Sequence, residues 1–249
     1  EVTDASSYSR LGNNALNMNI AYKLYSLYSR TIIFTYLTYE KADNTEMLNY
    51  QNDGLLHSQN YMDGGKKETV NATLYANKGL GNLPIDAKLT TTFLWNRNEI
   101  AYNSIPFKML VGNLKTDLGF VSRFKIPFNV EIDGLYNKLT NKVTDLNIDS
   151  SDKEIGGTAK LIFAKNKFAS FVTGKWNKIE NTSGSKILRD IDFSISYKIK
   201  KFTCKLSGTN IFHLNGINWL KQNVTPTYTS YVRYKQHSGN VMLSLTYQL

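Results

Sequence analysis

The chain has 249 residues, enough for one large β domain or two small ones. Its 16 Tyr and 12 Phe against 4 Pro favour strands, its single Cys204 excludes an intrachain disulfide framework, and no run approaches the roughly 18 apolar residues of a membrane-spanning helix. The formal charge of +10 invites a nucleic-acid partner, but the 30 Lys and Arg are spread singly, and the densest spots, Lys66-Lys67 and Lys198-Ile-Lys-Lys201, read as turns.

In chain order the sequence is a series of alternating segments separated by turns, and alternation of apolar and polar residues is the period of a strand. Leu16, Met18, Ile20 and Tyr22 alternate with Asn17, Asn19 and Lys23, and Ile32 to Tyr39 is apolar on both faces. Val70, Leu74 and Ala76 alternate with Thr69, Asn71 and Thr73; Ile85, Ala87, Leu89, Phe93 and Trp95 alternate with Asp86, Lys88, Thr90 and Thr92. Leu114, Leu118, Phe120 and Phe124 oppose Lys115, Asp117 and Arg123, and Phe128, Val130, Ile132 and Tyr136 oppose Asn129, Glu131, Asp133 and Asn137. Ala159, Leu161 and Phe163 oppose Thr158 and Lys160; Phe168, Val172 and Trp176 oppose Thr173, Lys175 and Asn177. Ile191, Phe193, Ile195, Tyr197 and Ile199 oppose Asp190, Asp192, Ser194, Ser196 and Lys198. Phe202, Cys204 and Leu206 oppose Thr203, Lys205 and Ser207, with Cys204 read as a small apolar side chain. The last segment, Val241 to Leu249, alternates to the final residue. No amphipathic helix is legible.

The connections sort into two kinds. Lys125-Ile-Pro127, Ala164-Lys-Asn166 and Lys200-Lys201 are tight, whereas residues 39–67, 96–106, 141–153, 179–186 and 213–226 read as long polar loops. Short and long alternate from residue 85 onward, as do the periplasmic turns and outside loops of an outer-membrane barrel. Alternation alone fits a soluble barrel equally, since only inside and outside exchange. Three features favour the membrane. The segments are about ten residues or more, the polar face carries both charge signs in mid-strand, and Trp95, Trp176, Tyr136 and Tyr247 sit near segment ends, where aromatic girdles belong. The mean hydropathy of -0.35 is no objection, because lipid-facing and lumen-facing residues cancel along each strand. The expected fold is an all-β, antiparallel transmembrane β-barrel, a single partial domain over residues 1–249, in the outer membrane. Glu1-Val-Thr-Asp lacks the features of a signal peptide, so such a segment has been removed or Glu1 is not the natural start.

The expected facing follows from alternation. Ile191, Phe193, Ile195, Tyr197, Leu243, Leu245, Tyr247 and Leu249 face lipid; Asp190, Asp192, Lys198, Glu131 and Asp133 face the lumen. Catalytic constellations are not legible. His57, His213 and His237 lie in or beside expected loops, far apart, and no metal spacing, nucleophile elbow or phosphate loop is present. No enzyme activity, metal or cofactor is expected. Asp190 and Asp192 share one strand face about 7 Å apart and read as lumen wall, paired with Lys198 or Lys205. The sequons at Asn71, Asn181 and Asn223 read as chance.

Residues 201–249 resemble the end of TonB-dependent outer-membrane receptors of Bacteroidetes-type bacteria. The carriers are Gly208-Thr-Asn-Ile-Phe212, similar to the family's Asn-Leu-Phe after the penultimate strand, then Pro226-Thr-Tyr-Thr-Ser-Tyr-Val-Arg-Tyr234 and the alternating terminal segment. Asn14 to Tyr39, with Leu24-Tyr-Ser-Leu-Tyr-Ser29 at a turn, is similar to barrel strands of the same group. One departure is Leu249, where most such barrels end in Phe. The resemblance covers the barrel only. It implies a barrel of roughly 22 strands with a plug that is absent from these residues. It also implies uptake of a nutrient, and as partners the lipid bilayer, the rest of the barrel and plug, TonB through an N-terminal part, and as a further candidate a surface lipoprotein. Specificity in such receptors lies in the plug and outside loops, so the cargo is not legible here.

About eleven strands are expected, with residues 43–66 as one outside loop. Tracing the connections back from Leu249 makes Leu16–Tyr22 and Val241–Leu249 run the same way, so each should keep an open side. The alternatives are a closed twelve-stranded porin in which Leu55–Met62 adds a strand, and a soluble β-barrel that binds a ligand inside.

Overall fold

The computed structural model describes residues 14–53, 56–182, 184–224, 229–236 and 238–247. The strands are β1 (Asn14–Ser26), β2 (Thr31–Asp53), β3 (Leu56–Gly79), β4 (Ile85–Tyr102), β5 (Ile105–Ser122), β6 (Phe128–Val143), β7 (Ile148–Lys165), β8 (Phe168–Asn181), β9 (Gly184–Ile199), β10 (Phe202–Thr209), β11 (Ile217–Val224), β12 (Thr229–Gln236) and β13 (Asn240–Tyr247). Eleven of them form one antiparallel meander in the order β1-β2-β3-β4-β5-β6-β7-β8-β9-β10-β13, and β11 and β12 form a separate hairpin. The protein is all-β.

The connections expected to be tight all lie at one end of the sheet. Arg30, Asn166 and Lys200 adopt positive φ there, which lets turns of few residues reverse the chain. The opposite end differs from the sequence expectation. Residues expected as long polar loops are strand: β4 and β5 pair as far as Tyr102 with Ile105, β6 and β7 as far as Val143 with Ile148, and β8 and β9 as far as Asn181 with Gly184. Asn103 and Ser104 close the β4–β5 hairpin with φ of 47° and 66°, the primed geometry that matches strand twist. Loss of apolar alternation marks the end of the apolar face; it does not mark the end of the backbone ladder.

The span expected as a single loop, residues 43–66, is the upper part of the β2–β3 hairpin, and Leu56–Met62 belongs to β3. Its register slips between Asp43 and Met47, where Asn44 and Gly64 have positive φ. Beyond these bulges the hairpin folds over, and Asn49–Tyr50 of β2 pairs in parallel with Ala101–Tyr102 of β4. Ala42, Met47, Ile100, Ala101 and Val143 are buried at this end. Asn49, fully buried, donates to the Asn60 Oδ1 (2.9 Å) and accepts from the Ser104 N–H (3.1 Å), so the fold-over leaves its amide satisfied.

The register carries one apolar face across the whole sheet. Leu24, Ile33, Ala76, Leu89, Leu118, Gly134, Gly157 and Trp176 are successive cross-strand partners, and Phe128, Phe163, Ser170, Ile195, Leu206 and Leu243 form a second row. Ile191, Phe193, Tyr197, Leu245 and Tyr247 lie on this face; Asp190, Asp192, Lys198, Glu131 and Asp133 lie on the other. Leu249 lies outside the described residues. Burial is inverted relative to a protein that folds around an oily centre. On the apolar face Leu243 and Leu245 are about 70% exposed, whereas Asp86, Asp190 and Ser194 on the polar face are buried.

Candidate functional site

The polar face bears the built features of the molecule. Between β5 and β9 it walls a cavity of about 660 Å³, whose polar lining includes Asp117, Asp133, Glu154, Thr158, Lys175 and Asn177. These side chains come from every second residue of neighbouring strands, which is how one polar face becomes a continuous charged wall. Carboxylate and ammonium groups are interleaved. Lys160 meets Glu131 at 3.1 Å and lies 5.2 Å from the centre of the Phe171 ring, Lys175 pairs with Asp192, and Asn177 donates to Glu154. Asp133 accepts from Thr158 at 3.4 Å and sits over Gly119, where an added Cβ would lie 2.6 Å from its Oδ1.

Asp190 also lines this cavity, as do Asn210 and His213, and Asp192 stands two residues further along β9 on the same face. Asp190 accepts from the backbone N–H groups of Ile191 (2.8 Å) and Phe212 (3.1 Å) and meets the His213 Nδ1 at 2.9 Å. Asp192 accepts from the N–H of Asn210, whose φ is +50°. Together they pin the short 3-10 turn Ile211–His213 back onto β9. The expected partners, Lys198 and Lys205, are displaced by His213 and Lys175. Cross-strand register places Lys175 opposite Asp190, and the folded-back turn delivers His213, whereas Lys198 stands six residues beyond Asp192, near the tight-turn end. Alternation reports the face of a residue but not its neighbours, so a histidine 23 positions away left no signal. The same turn brings Gly239 against Asn210, where a Cβ would stand 2.1 Å from the Asn210 carbonyl oxygen. The side chain of His57 is outside the described residues, as is His237.

A second polar cluster was not legible. Asp86 is buried at the tight-turn end, with its Oδ2 2.7 Å from the Arg123 Nε and its Oδ1 paired with Arg30. Arg30 belongs to the β1–β2 turn and Arg123 to the β5–β6 connection, whose N–H also bonds Pro84 at 2.6 Å. One carboxylate thus ties three turns together. Each partner is an isolated arginine in sequence, and only the turn geometry makes them converge.

The apolar face is organised in belts. At the tight-turn end Phe128, Phe163 and Phe168 contact in series, with ring centres 4.7 and 5.6 Å apart, and Phe202 meets Tyr247 at 4.9 Å. Toward the other end Tyr39, Trp95, Tyr136 and Trp176 lie on the same face. Tyr136 and Phe128 are eight residues apart on β6, about 26 Å along a strand and about 20 Å in height at a tilt of roughly 40°. Among the described residues no three His, Cys, Asp or Glu side chains gather as a metal site. No protein-family model matches the chain, and no curated protein matches its sequence.

Proposed function

We propose that this chain forms part of the wall of an outer-membrane transport barrel of the TonB-dependent receptor type, through which a nutrient crosses the bilayer. The observation that carries this reading is the inverted distribution of its surfaces. Burial of apolar area drives folding, yet here the apolar face is the uncovered one, contiguous over eleven strands. A monomer in water rarely exposes a patch beyond a few hundred Å². A bilayer covers such a face at no cost, and the aromatic belts then lie near its two interfaces. The polar face, with paired charges around a cavity, is the wall of a wet lumen.

The wall is incomplete by itself. β1 and β13 are the sheet edges, and among the described residues neither pairs with the other. With eleven strands in a meander, both run toward the tight-turn end, so they cannot close antiparallel. Unpaired edge amides in hydrocarbon cost several kcal/mol each. The remaining strands, odd in number, come from elsewhere in the complete barrel. The same parity stands against the closed twelve-stranded porin, as does the assignment of Leu56–Met62 to β3.

The test is the solution behaviour of the full-length protein. It should stay in the membrane pellet after an alkaline wash and require detergent thereafter, and disruption of its gene should abolish energy-dependent uptake of one nutrient class. A monodisperse, folded protein in plain buffer would contradict the membrane reading in favour of a soluble barrel. Membrane retention with energy-independent diffusion of solutes would favour a porin.

A further inference from the structure

Above the aromatic belt on the hairpin side, the outward face changes character within one residue pair. Continuing outward from Tyr136, Ile155, Trp176 and Ile191, the next side chains on that face are Lys138 on β6, Lys153 on β7, Lys178 on β8 and Arg189 on β9. Lys138 and Lys153 are direct cross-strand partners. Lys178 pairs with Ile155 and Ile187, each two residues from Lys153 and Arg189, which places it diagonal to both. Like charges directly opposite on a sheet repel. Four cations are offset here by one carboxylate, Glu180, which lies 3.9 Å from Lys153 and also pairs with Lys178. Lys138 and Arg189 are exposed and have no ion-pair partner among the described residues. Four residues down β6 and β7 from Lys138 and Lys153, Gly134 and Gly157, with Gly174 on β8, leave the outward surface without side chains beside Trp176.

We propose that Lys138, Lys153, Lys178 and Arg189 form a docking surface for the phosphate groups of anionic lipids in the leaflet at the hairpin end. Three arguments select this occupant. The excess of positive charge calls for an anion, and among the described residues Glu180 is the one carboxylate that pairs with these cations. Lys138 and Lys178 stand two residues outward of the Tyr136–Trp176 belt, on the headgroup side of the level where headgroups meet hydrocarbon. The glycine-floored strip beneath it offers room for an acyl chain attached to that headgroup, which a free anion would not use. Basic residues at an anionic membrane surface each add to its attraction, and the pairs here are close enough for one phosphate to bridge two of them.

The inference rests on the apolar face being lipid-facing, and the experiment separates the two. The full-length protein, purified in a zwitterionic detergent, is titrated with phosphatidylglycerol or phosphatidylcholine, and bound lipid is counted by native mass spectrometry. Phosphatidylglycerol should bind about tenfold more tightly or better. The variant carrying Lys138→Gln, Lys153→Gln, Lys178→Gln and Arg189→Gln should lose that preference. The lysine-to-arginine variant at 138, 153 and 178 should keep it, as should a variant with Lys78→Gln and Lys165→Gln at the other end of the sheet. Equal affinity for the two lipids, a preference that survives the four glutamines, or one that vanishes equally in the Lys78/Lys165 variant overturns the proposal. Displacement of phosphatidylglycerol by millimolar inorganic phosphate also overturns it, as the mark of a free-anion site. Retention of the glutamine variant in membranes after alkaline wash reads the apolar band alone. If that retention is lost in the unmodified protein, the underlying reading has failed, not the headgroup site.

Discussion

Asp86 and Asp190 work at opposite ends of the sheet: Asp86 gathers arginines from two separate turns, and Asp190 holds the single folded-back turn Ile211–His213. Removing the Asp86 charge leaves Arg30 and Arg123 facing a neutral amide. Asp86→Asn is expected to destabilise the fold by about 2 kcal/mol, the scale of a charge-assisted hydrogen bond, read as a shift in a urea unfolding midpoint in lipid or detergent. Asp190→Ala should free the Ile211–His213 turn, raising amide exchange at Phe212 and His213 while leaving the amides of β8 protected. The facing of these residues was readable from alternation alone, because strand period is fixed at two. Their partners were not, because partners depend on register, and register is set by turn lengths that differ by single residues. On the apolar face, Leu245→Arg or Ile195→Arg should cost roughly 2–4 kcal/mol in a lipid-refolding titration, whereas Ser196→Arg on the polar face should cost clearly less. Equal costs would refute the assignment of faces.

At the scale of elements, the hairpin extensions beyond the apolar band are the main departure from the sequence expectation. Asn96–Tyr102 and Ile105–Pro106 read as loop because they lack an apolar face, yet they pair throughout. Their amides should exchange slowly, and proteases should spare residues 97–109. The Asn103-Ser104 turn needs positive φ at both positions. Asn103→Gly should be neutral, while Asn103→Val should cost about 1–2 kcal/mol, the penalty of a left-handed backbone. At the outer end of β8, the Glu180 carboxyl is held below the ordinary carboxylate range, chiefly by the hydrogen bond from Lys178, then by its charge and that of Lys153. A depressed folded-state pKa means that this pairing supports the fold above the unfolded value and is lost as pH falls through the folded one. The β7–β8 extension should therefore fray on acidification below about pH 4, seen as faster exchange at Glu180 and Asn181, and Glu180→Gln should fray it at neutral pH.

For the molecule as a whole, the fold class was legible, since most strands of the large sheet repeat the same two-faced pattern. The tight-turn end was legible too, from the short links at residues 125–127 and 200–201. The separate β11–β12 hairpin was not: it carries no clean alternation, and only its backbone pairing from Ile217–Gln236 to Val224–Thr229 defines it. The open edges follow from strand parity. Cysteines at Asn19 and Ser244, in a Cys204→Ser background, should not cross-link in the folded protein, and an efficient cross-link would show a closed small barrel. The central claim, that one face of this sheet meets lipid and the other meets water, is tested most directly along β9. Single nitroxide labels at positions 191 to 198 would be read in the membrane-embedded protein by their accessibility to oxygen and to a water-soluble nickel chelate. Positions 191, 193, 195 and 197 should favour oxygen and positions 192, 194, 196 and 198 the chelate, in strict alternation; uniform accessibility, or the reverse phase, would contradict the account.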